Sequence, residues 1–584
     1  MAQSAARRWT MRAAPILVVA GTLALMIGTE PHLAMAWDEG YTLGREARVR
    51  AWFRAVRDPQ AFAKTWVPPS KATELVEDKR TPPRAAEIDS HSKLFSADVI
   101  AWFWPFGREE PHGHPPFYAI VGVLGDWVVP SWSELPRSRF GPMLVFSVTA
   151  GAIFWVFVRR SGFWPAWLAT GAWIFQPQLF ALGHYAGYDA ILASLWVGAI
   201  LAFSRAVGPR NSSSPTLTAG GQLPPGISWF AVIAFGILCG WAADTKLTGW
   251  FLPLPFLAWT IVTRSRSGFL TLVVGGLIAL LTLYLFNPPW WTDWLGGPYR
   301  FFHSNLSREK TIRIPVMFLG RIHLTPVESL PPYNTIVWTV IATPLGFLAL
   351  ALIGSIRAVR DRASSDPLAI LALGHWVFLL ILRSLPHTPG HDGVRQFLPA
   401  FGCLALMSGI GSAWIVERWR TGGKVMIALA ISEGLASVLV MMPVPLSYFS
   451  PIVGGLPGAT RIGMEPTYYW DALSASALDR LAKLTPPGRT VCFATNPSSW
   501  LYLKRTGAMR FPVYPLDRNE PAFYVVQNRR GSLSEIDLRL IREIGPQHVL
   551  VEKFGVPLIW AFPARDFLRL QTASTSPTTQ GLSP

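Results

Sequence analysis

The chain contains the stretch SGFLTLVVGGLIALLTLYLF, Ser267–Phe286, which has no charged side chain. A helix of about 20 apolar residues is long enough to cross the hydrocarbon core of a bilayer, which is about 30 Å thick. Ala13–Ala36 and Thr335–Ile356 are further runs of this kind. The sequence therefore predicts a polytopic α-helical membrane protein and excludes a purely soluble enzyme.

The overall composition agrees with membrane insertion. The 584 residues are 51% hydrophobic and 15% charged, which is too apolar for an ordinary soluble domain. Lys and Arg number 52 against 35 Asp and Glu, a net charge of +17. Because cytoplasmic loops of membrane proteins collect Lys and Arg, this excess does not indicate a nucleic-acid partner. With three cysteines, a disulfide framework is excluded.

Clusters of basic residues orient the spans. The first apolar run follows arginines at positions 7, 8 and 12, and short basic segments occur at 264–266, 357–362 and 418–424. Such segments stay in the cytoplasm. This predicts an amino terminus inside the cell and outer loops at 37–116 and 287–333, with everything after Met442 also outside.

The number of crossings depends on one short segment. Four apolar runs lie between Trp37, outside, and the basic segment at 205–210, inside, where only an odd number can cross. Phe117–Pro130 has about 14 residues interrupted by Gly and Asp, which is typical of a half-helix that does not cross. The sequence then predicts about 11 spans of the usual length. Ser204–Gly226, rich in Ser, Pro and Gly, is expected to be a flexible cytoplasmic linker.

The residue pattern of the sequence changes after Met442. Short β-rich runs alternate with helical ones, as in an α/β unit: strands at Arg489–Thr495, Ala522–Val526 and His548–Val551, and helices at Ser498–Arg505 and Leu533–Ile544. We therefore predict a transmembrane domain at 1–443, a small extracytoplasmic α/β domain at 444–571 and a disordered tail at 572–584. No internal repeat is visible, which disfavours an inverted-repeat transporter.

An acidic pair stands where the first span leaves the membrane, in Trp37-Asp38-Glu39-Gly40-Tyr41. Asp38 and Glu39 could simply mark the interface beside the aromatic residue Trp37. Alternatively, a partly desolvated carboxylate at the water boundary is suited to accept a hydroxyl proton as a general base.

A histidine and two prolines precede the next apolar run, in His112-Gly113-His114-Pro115-Pro116. Because prolines suit a helix start, His114 would lie at the amino-terminal end of a helix, where a phosphate would fit. The alternatives are a Pro-Pro turn with surface histidines or a metal site, although His-x-His without a third ligand is poor support for zinc.

Two further ionisable residues border apolar segments. Asp189 begins an otherwise apolar helix, which it could simply cap, and its outer position would bring it near Asp38. Lys246 lies in the turn Asp244-Thr245-Lys246 between two spans. It could form a local ion pair with Asp244 or be part of a cationic phosphate site.

Cations are dense in the outer loop 287–333, on the side where the positive-inside rule does not place them. This density indicates an anionic substrate, and Arg395 adds another cation on the same side. The loop residues are Arg300, His303, Arg308, Lys310, Arg313, Arg321 and His323.

The order of these motifs resembles that of the polyprenyl-phosphate-dependent glycosyltransferases of the C-type membrane fold, the group of the protein O-mannosyltransferases and lipid A aminoarabinose transferases. The resemblance covers roughly residues 13–400. It implies a hexosyl- or pentosyltransferase that acts with inversion on the outer side of the bacterial plasma (inner) membrane. The donor would be a polyprenyl-phosphate sugar and the acceptor a hydroxyl of a lipid, glycan or protein, without a metal or other cofactor.

The resemblance also implies roles for individual residues. Asp38 is similar in position to the base, with Glu39 beside it, and Asp189 to a second carboxylate of the site. His114 agrees with the mannosyltransferase branch, whereas the aminoarabinose branch has Lys there and Arg where this chain has Tyr41. The implied donor-phosphate ligands are His114, Lys246, Arg308, Lys310, Arg313 and Arg395.

A phosphate leaving group needs cations more than a general acid, so one base and a cationic cradle would suffice for transfer. The competing class is a polytopic transporter or lipid flippase without transferase activity. Such a protein would use charges buried in the middle of its spans and two similar halves. The ionisable residues of this chain cluster at one face instead, which favours the transferase.

Overall fold

A computed structural model of the chain describes residues 13–69, 80–106, 114–208, 227–307, 313–360, 367–514 and 520–575. The described part is mainly helical, with a β-hairpin in the loop that follows residue 287 and a four-stranded sheet near the carboxyl end.

The helices are numbered in chain order. They are α1 Ala14–Thr29, α2 Glu39–Arg57, α3 Pro59–Thr65, α4 His91–Leu94, α5 Ala97–Phe103, α6 Phe117–Val128, α7 Glu134–Arg160, α8 Phe163–Ile174, α9 Pro177–His184, α10 Asp189–Val207, α11 Trp229–Ala243, α12 Pro253–Thr263, α13 Arg266–Leu285, α14 Pro288–Trp291, α15 Gly296–Leu306, α16 Asn334–Ile341, α17 Leu345–Arg360, α18 Pro367–Ser384, α19 Pro399–Met441, α20 Gly455–Arg461, α21 Ala475–Leu484, α22 Trp500–Arg505, α23 Glu535–Ile544 and α24 Ala564–Thr575.

Within the described residues, six helices are long and apolar enough to cross a membrane: α1 with the turn that follows it, α7, α10, α13, α18 and α19. Three apolar helical segments are shorter, including α6, the segment expected not to cross. The chain is therefore a helical membrane protein, and the count of about 11 spans stays a prediction.

The sequence explains where α13 begins and ends. The Ser265 hydroxyl accepts a hydrogen bond from the Gly268 N–H at 3.0 Å and so caps the first turn. The helix stops just before Asn287-Pro288-Pro289, because proline supplies no N–H to continue it.

Two boundaries differ from the sequence prediction. The run Thr335–Ile356 is not one helix, because α16 ends at Ile341 and α17 begins at Leu345, on either side of Pro344. The predicted linker Ser204–Gly226 begins later than expected, since α10 continues to Val207, and positions 209–226 lie outside the described residues.

The carboxyl end differs as well. The sequence predicts a disordered tail from 572, whereas α24 continues to Thr575. Residues 576–584 lie outside the described part.

The long helix α19 consists of two segments. Arg420 has non-helical backbone angles, φ 36° and ψ −99°, within the basic segment 418–424. The sequence predicts a cytoplasmic turn at this place. The break divides α19 into two lengths, each of which suits a span.

The hairpin and the sheet contain six strands. The hairpin pairs β1 Ile314–Phe318 with β2 Arg321–Thr325, antiparallel. The sheet has the order β3-β4-β6-β5, with β3 Thr490–Phe493 parallel to β4 Pro521–Gln527 and the other two pairs antiparallel. Those remaining strands are β5 Val549–Lys553 and β6 Val556–Pro563. Helices and strands thus alternate near the positions read from the sequence, and β6 is an additional strand.

The sheet buries both faces. Because successive side chains of a strand point to opposite faces, Tyr524 and Val526 of β4 pack with Leu540 of α23 in a small cluster of their own. Val525 and Ala561 face the other way and belong to the main core, which extends through the membrane helices. The carboxy-terminal part is therefore packed against the rest of the chain.

Candidate active site

Four ionisable residues singled out from the sequence lie together at helix ends. Asp38 directly precedes α2 and Asp189 is the first residue of α10. Lys246 follows the end of α11, and Arg395 precedes α19. All four stand where a helix meets a loop, and their side chains converge although they are far apart in sequence.

Arg395 is at the centre of this cluster. Its Nη1 donates hydrogen bonds to the hydroxyls of Tyr188, at 3.0 Å, and Tyr469, at 2.8 Å, and also contacts the carboxylate of Asp38. Its Nη2 donates to Oδ2 of Asp392 at 2.6 Å. The guanidinium group therefore joins three carboxylates, those of Asp38, Asp392 and Asp189, and two phenol groups.

Asp38 is the carboxylate of the cluster that reaches solvent, with 22% of its side chain exposed. It accepts hydrogen bonds from the Tyr188 hydroxyl and from Arg395. Burial by itself would raise the pKa of Asp38, but Arg395 and the hydrogen bond from Tyr188 hold this pKa well below its ordinary value. Asp38 is consequently ionised at neutral pH.

Asp189 and Lys246 form a buried ion pair, with 2.7 Å between Nζ and Oδ1. Asp189 also lies 3.5 Å from Nη1 of Arg395. The alternative of a local pair between Asp244 and Lys246 is wrong, because Asp244 instead accepts a hydrogen bond from Nδ2 of Asn287 at 2.8 Å. Asp189 does not cap α10 by a side-chain hydrogen bond either: the N-cap is Tyr188, and the Asp189 carboxylate accepts from Lys246 and Arg395 instead.

Glu39 points away from Asp38, into the protein. Its two carboxylate oxygens accept from Nε and Nη2 of Arg139 at 2.8 and 2.6 Å. They also accept from the backbone N–H groups of Ala36 at 3.0 Å and Ala186 at 2.9 Å. Both side chains are buried, and Glu39 thereby ties the turn before α2 to α7 and to the segment before α10.

His114 stands two residues before the Pro116 N-cap of α6, as the two prolines predict. Its ring lies 3.7 Å from the Tyr188 ring, measured between centroids. The first N–H of α6, from Phe117, donates to the carbonyl of Asp244 at 3.0 Å. This segment therefore connects the histidine to the turn that carries Lys246.

A cavity of about 370 Å³ opens at Asp38. Four guanidinium groups and two carboxylates contribute to its wall, together with histidines and aromatic rings. The lining residues are Trp37, Asp38, Tyr41, Thr42, Arg45, His114, Tyr188, Arg313, Ile314, Pro315, His391, Asp392, Arg395, Trp470, Arg529 and Ser532.

The predicted donor-phosphate ligands separate into three groups. His114, Arg313 and Arg395 line the cavity. Lys246 lies behind its wall, where Nζ donates to Oε1 of Gln396 at 3.1 Å as well as to Asp189. Arg308 and Lys310 lie outside the described residues. Among the residues that are described, no three His, Cys, Asp or Glu side chains are grouped as a metal site would require.

Several residues of the cavity were not assigned from the sequence. Tyr188 stands next to Asp189, and Trp470 lies in the carboxy-terminal part, for which the sequence suggests no site residue. Asp392 and Arg529 carried no signal beyond their charge. Their place in the cavity depends on tertiary packing between distant parts of the chain.

Comparisons with known proteins give two kinds of result. No protein-family model matches the sequence, and no curated protein is similar to it. Among solved structures, the chain is similar to ArnT from Cupriavidus metallidurans bound to undecaprenyl phosphate, with 14% identity, a TM-score of 0.48 and coverage of 94% of this chain and 97% of that one.

A second similar structure is the archaeal oligosaccharyltransferase AglB from Archaeoglobus fulgidus in complex with an inhibitory peptide and a dolichol-phosphate. It has 11% identity and a TM-score of 0.46, over 89% of this chain and 70% of that one. Both are polyprenyl-phosphate-dependent glycosyltransferases of the C-type fold.

Proposed function

We propose that the chain is a membrane glycosyltransferase that transfers a sugar, with inversion, from a polyprenyl-phosphate donor to an acceptor hydroxyl. One observation carries this proposal: a carboxylate, Asp38, and a guanidinium group, Arg395, meet on the wall of one cavity. The acceptor hydroxyl loses a proton during the reaction and the phosphate gains negative charge. A base and a cation are the two groups that this chemistry needs.

The charge of the cavity suits this leaving group. The sugar donor is a phosphodiester with one negative charge, whereas the released polyprenyl phosphate carries up to two, since its second pKa is about 6. Four guanidinium groups and two carboxylates give the described wall two net positive charges, from Arg45, Arg313, Arg395 and Arg529 against Asp38 and Asp392. The wall therefore favours the charge that develops as the sugar leaves.

Asp38 would accept the proton of the acceptor hydroxyl while the acceptor oxygen bonds to the anomeric carbon and the bond to the phosphate oxygen breaks. With its pKa held below the ordinary value by Arg395, Asp38 is a weak base in the state described. A donor phosphate that binds Arg395 would compete with Asp38 for this guanidinium group. Binding of the donor would thereby raise the pKa of Asp38 and strengthen the base when it is needed.

The other predicted site residues support the reaction differently. Asp189 and Lys246 neutralise each other behind the wall, which favours a role in holding Arg395 and Gln396 rather than direct contact with the donor. His114 and Arg313 line the cavity and can contact the phosphate. Glu39 is fully engaged by Arg139 and two backbone N–H groups, which supports a structural role.

The proposal includes the sidedness and the domain division. A transmembrane domain at 1–443 and an extracytoplasmic α/β domain at 444–571 would share the cavity, because Trp470 and Arg529 of the second contribute to its wall. The cavity would then face outside the cytoplasm, from the bacterial plasma membrane. The acceptor would be a lipid, glycan or protein hydroxyl reached from that side.

The decisive experiment is incubation of the purified full-length protein with a panel of polyprenyl-phosphate sugars, with release of polyprenyl phosphate as the readout. Asp38→Asn keeps the size of the side chain and removes its basicity. We expect transfer to fall by roughly 10²- to 10⁴-fold, while binding of polyprenyl phosphate is retained. A folded Asp38→Asn variant that transfers sugar near the parent rate would contradict the assignment of the base.

A further inference from the structure

A chain of alternating charges leads from Asp38 to the carboxy-terminal part. Arg395 contacts Asp38 and donates from Nη2 to Oδ2 of Asp392 at 2.6 Å. The other oxygen of Asp392, Oδ1, accepts from Nη1 of Arg529 at 3.0 Å. Arg529 follows β4 and is fully buried. The carboxy-terminal sheet therefore reaches the catalytic guanidinium group through one shared carboxylate.

Aromatic contacts connect Arg529 back to the residue before Asp38. The guanidinium carbon of Arg529 lies 3.7 Å from the centroid of the Trp470 ring. That ring lies 4.5 Å from the ring of Trp37, the residue before Asp38. Trp470 has a φ of 52°, which is rare for a bulky residue and persists only where the surroundings fix it. The contacts with Trp470 and Asp392 thus hold Arg529 in one place.

Asp38 and Asp392 compete for Arg395. A guanidinium group carries a single positive charge, so the more strongly Asp392 attracts it, the less it neutralises Asp38. Arg529 is a second cation beside Asp392. Because it neutralises part of the charge of Asp392, it weakens the attraction of Asp392 for Arg395. Among the described residues, His391 lies 3.8 Å from Asp392, and Glu465 lies 3.9 Å from Arg529. Asp189 and the hydroxyls of Tyr188 and Tyr469 are the described ionisable groups that contact Arg395 from the other side.

We propose that Arg529 is a positioning residue of the active site: by pairing with Asp392, it keeps Arg395 beside Asp38, where the donor phosphate can reach it. The proposal rests on the proposed function, because it assigns Arg395 and Asp38 to the reaction. It gives the carboxy-terminal part a direct effect on the chemistry of a cavity whose base and phosphate ligand come from the membrane part.

The test measures the protonation of Asp38 without turnover. A carbodiimide modifies a carboxyl group in proportion to its protonated fraction, and mass spectrometry of the full-length protein at pH 5 reports the rate at Asp38. Arg529→Met removes the second cation and releases Asp392 to draw Arg395 away, and both effects favour protonation. We expect modification of Asp38 to rise by roughly threefold to tenfold, which corresponds to half to one pKa unit.

The matched control is Arg530→Met, the same change at the exposed neighbouring position, which should leave modification of Asp38 unchanged. Arg529→Lys keeps the charge and should return the rate toward that of the parent. Asp479, a partly exposed carboxylate that does not line the cavity, is the internal reference, because unfolding would accelerate its modification too.

An unchanged rate at Asp38 in a folded Arg529→Met variant would overturn the proposal. So would equal acceleration at Asp38 and Asp479, because that result would mean a purely structural role. Since the measurement uses no sugar donor, it is independent of the transfer assay. Absence of transfer with a normal labelling response would count against the proposed function alone.

Discussion

Glu39→Gln distinguishes the roles of the neighbouring carboxylates Asp38 and Glu39 more sharply than any other change. Each oxygen of Glu39 accepts one hydrogen bond from Arg139 and one from a backbone N–H, of Ala36 or Ala186. A glutamine amide replaces one of these oxygens by an NH₂ group, whichever way it turns. Two donors, one of them on a buried guanidinium group, then face another donor.

The size of the effect follows from these contacts. Each buried donor left without an acceptor costs about 1–3 kcal/mol, so the two donors together cost about 2–6 kcal/mol. Arg139 keeps a second carboxylate partner, Glu30 at 2.9 Å, so its charge is not left unpaired. We therefore expect Glu39→Gln to lower the free energy of unfolding by about 4 kcal/mol. For a chain of this length that unfolds in one step, the melting temperature would fall by roughly 3 °C.

The assay is thermal unfolding of the purified protein in detergent, together with the transfer rate at a temperature where the variant is folded. Asp38→Asn is the matched control, since it alters the adjacent residue and should affect the transfer rate far more than the melting temperature. Combining Glu39→Gln with Arg139→Met completes a double-mutant cycle. The double variant should be less destabilised than the sum of the single changes, by about 1 kcal/mol or more.

The opposite pattern would refute this reasoning. If Glu39→Gln melts with the parent protein yet loses transfer, while Asp38→Asn keeps it, Glu39 is the base. The hydrogen bonds to Arg139 would then not describe the working state of the site.

Three further outcomes are expected. Burial raises the pKa of Glu46 to about 8, against smaller opposing effects of Ser138 and Arg50. The stability that protonated Glu46 contributes to the folded state is therefore complete below the unfolded pKa of 4.5 and is lost as the pH rises towards 8. Glu46→Gln should reduce the fall in melting temperature between these pH values, whereas the same change at the exposed Glu417 should not. Arg313→Gln should weaken polyprenyl-phosphate binding less than about fivefold, because an exposed cation contributes about 1 kcal/mol or less; a larger loss in a binding titration would contradict this. In intact cells, a cysteine at 530 should react with an impermeant reagent and a cysteine at 424 should not, and the reverse would overturn the predicted sidedness.

The convergence of Asp38, Asp189, Lys246 and Arg395 could be predicted because each stands where an apolar segment ends. The positive-inside rule assigns such ends to one face of the membrane, and residues at the same face of a bundle lie within reach of one another. A one-dimensional pattern therefore carries enough information to group them.

The directions of neighbouring side chains could not be predicted in this way. Asp38 and Glu39 are adjacent carboxylates with the same local context, yet one faces the cavity and the other is enclosed by Arg139, which lies in α7. Which carboxylate faces which way depends on the packing of α7 against the turn before α2. The sequence contains no local signal for that contact.

The same limit applies to Asp392 and Arg529. They meet at 3.0 Å although 137 positions separate them, and neither belongs to a periodic run. The break at Pro344 is a different case, because proline does signal the end of a helix. The apolar run through this position was long enough for one span, and only the structure shows that two helices share it.

The wall of the cavity also has a consequence for how the protein is made. Its residues extend from Trp37 to Ser532, so one side of the cavity is synthesised almost five hundred residues after the other. A nascent chain that has inserted its membrane helices still lacks Trp470 and Arg529. The cavity is therefore completed late in biosynthesis, after the helices that precede Met442 have been made.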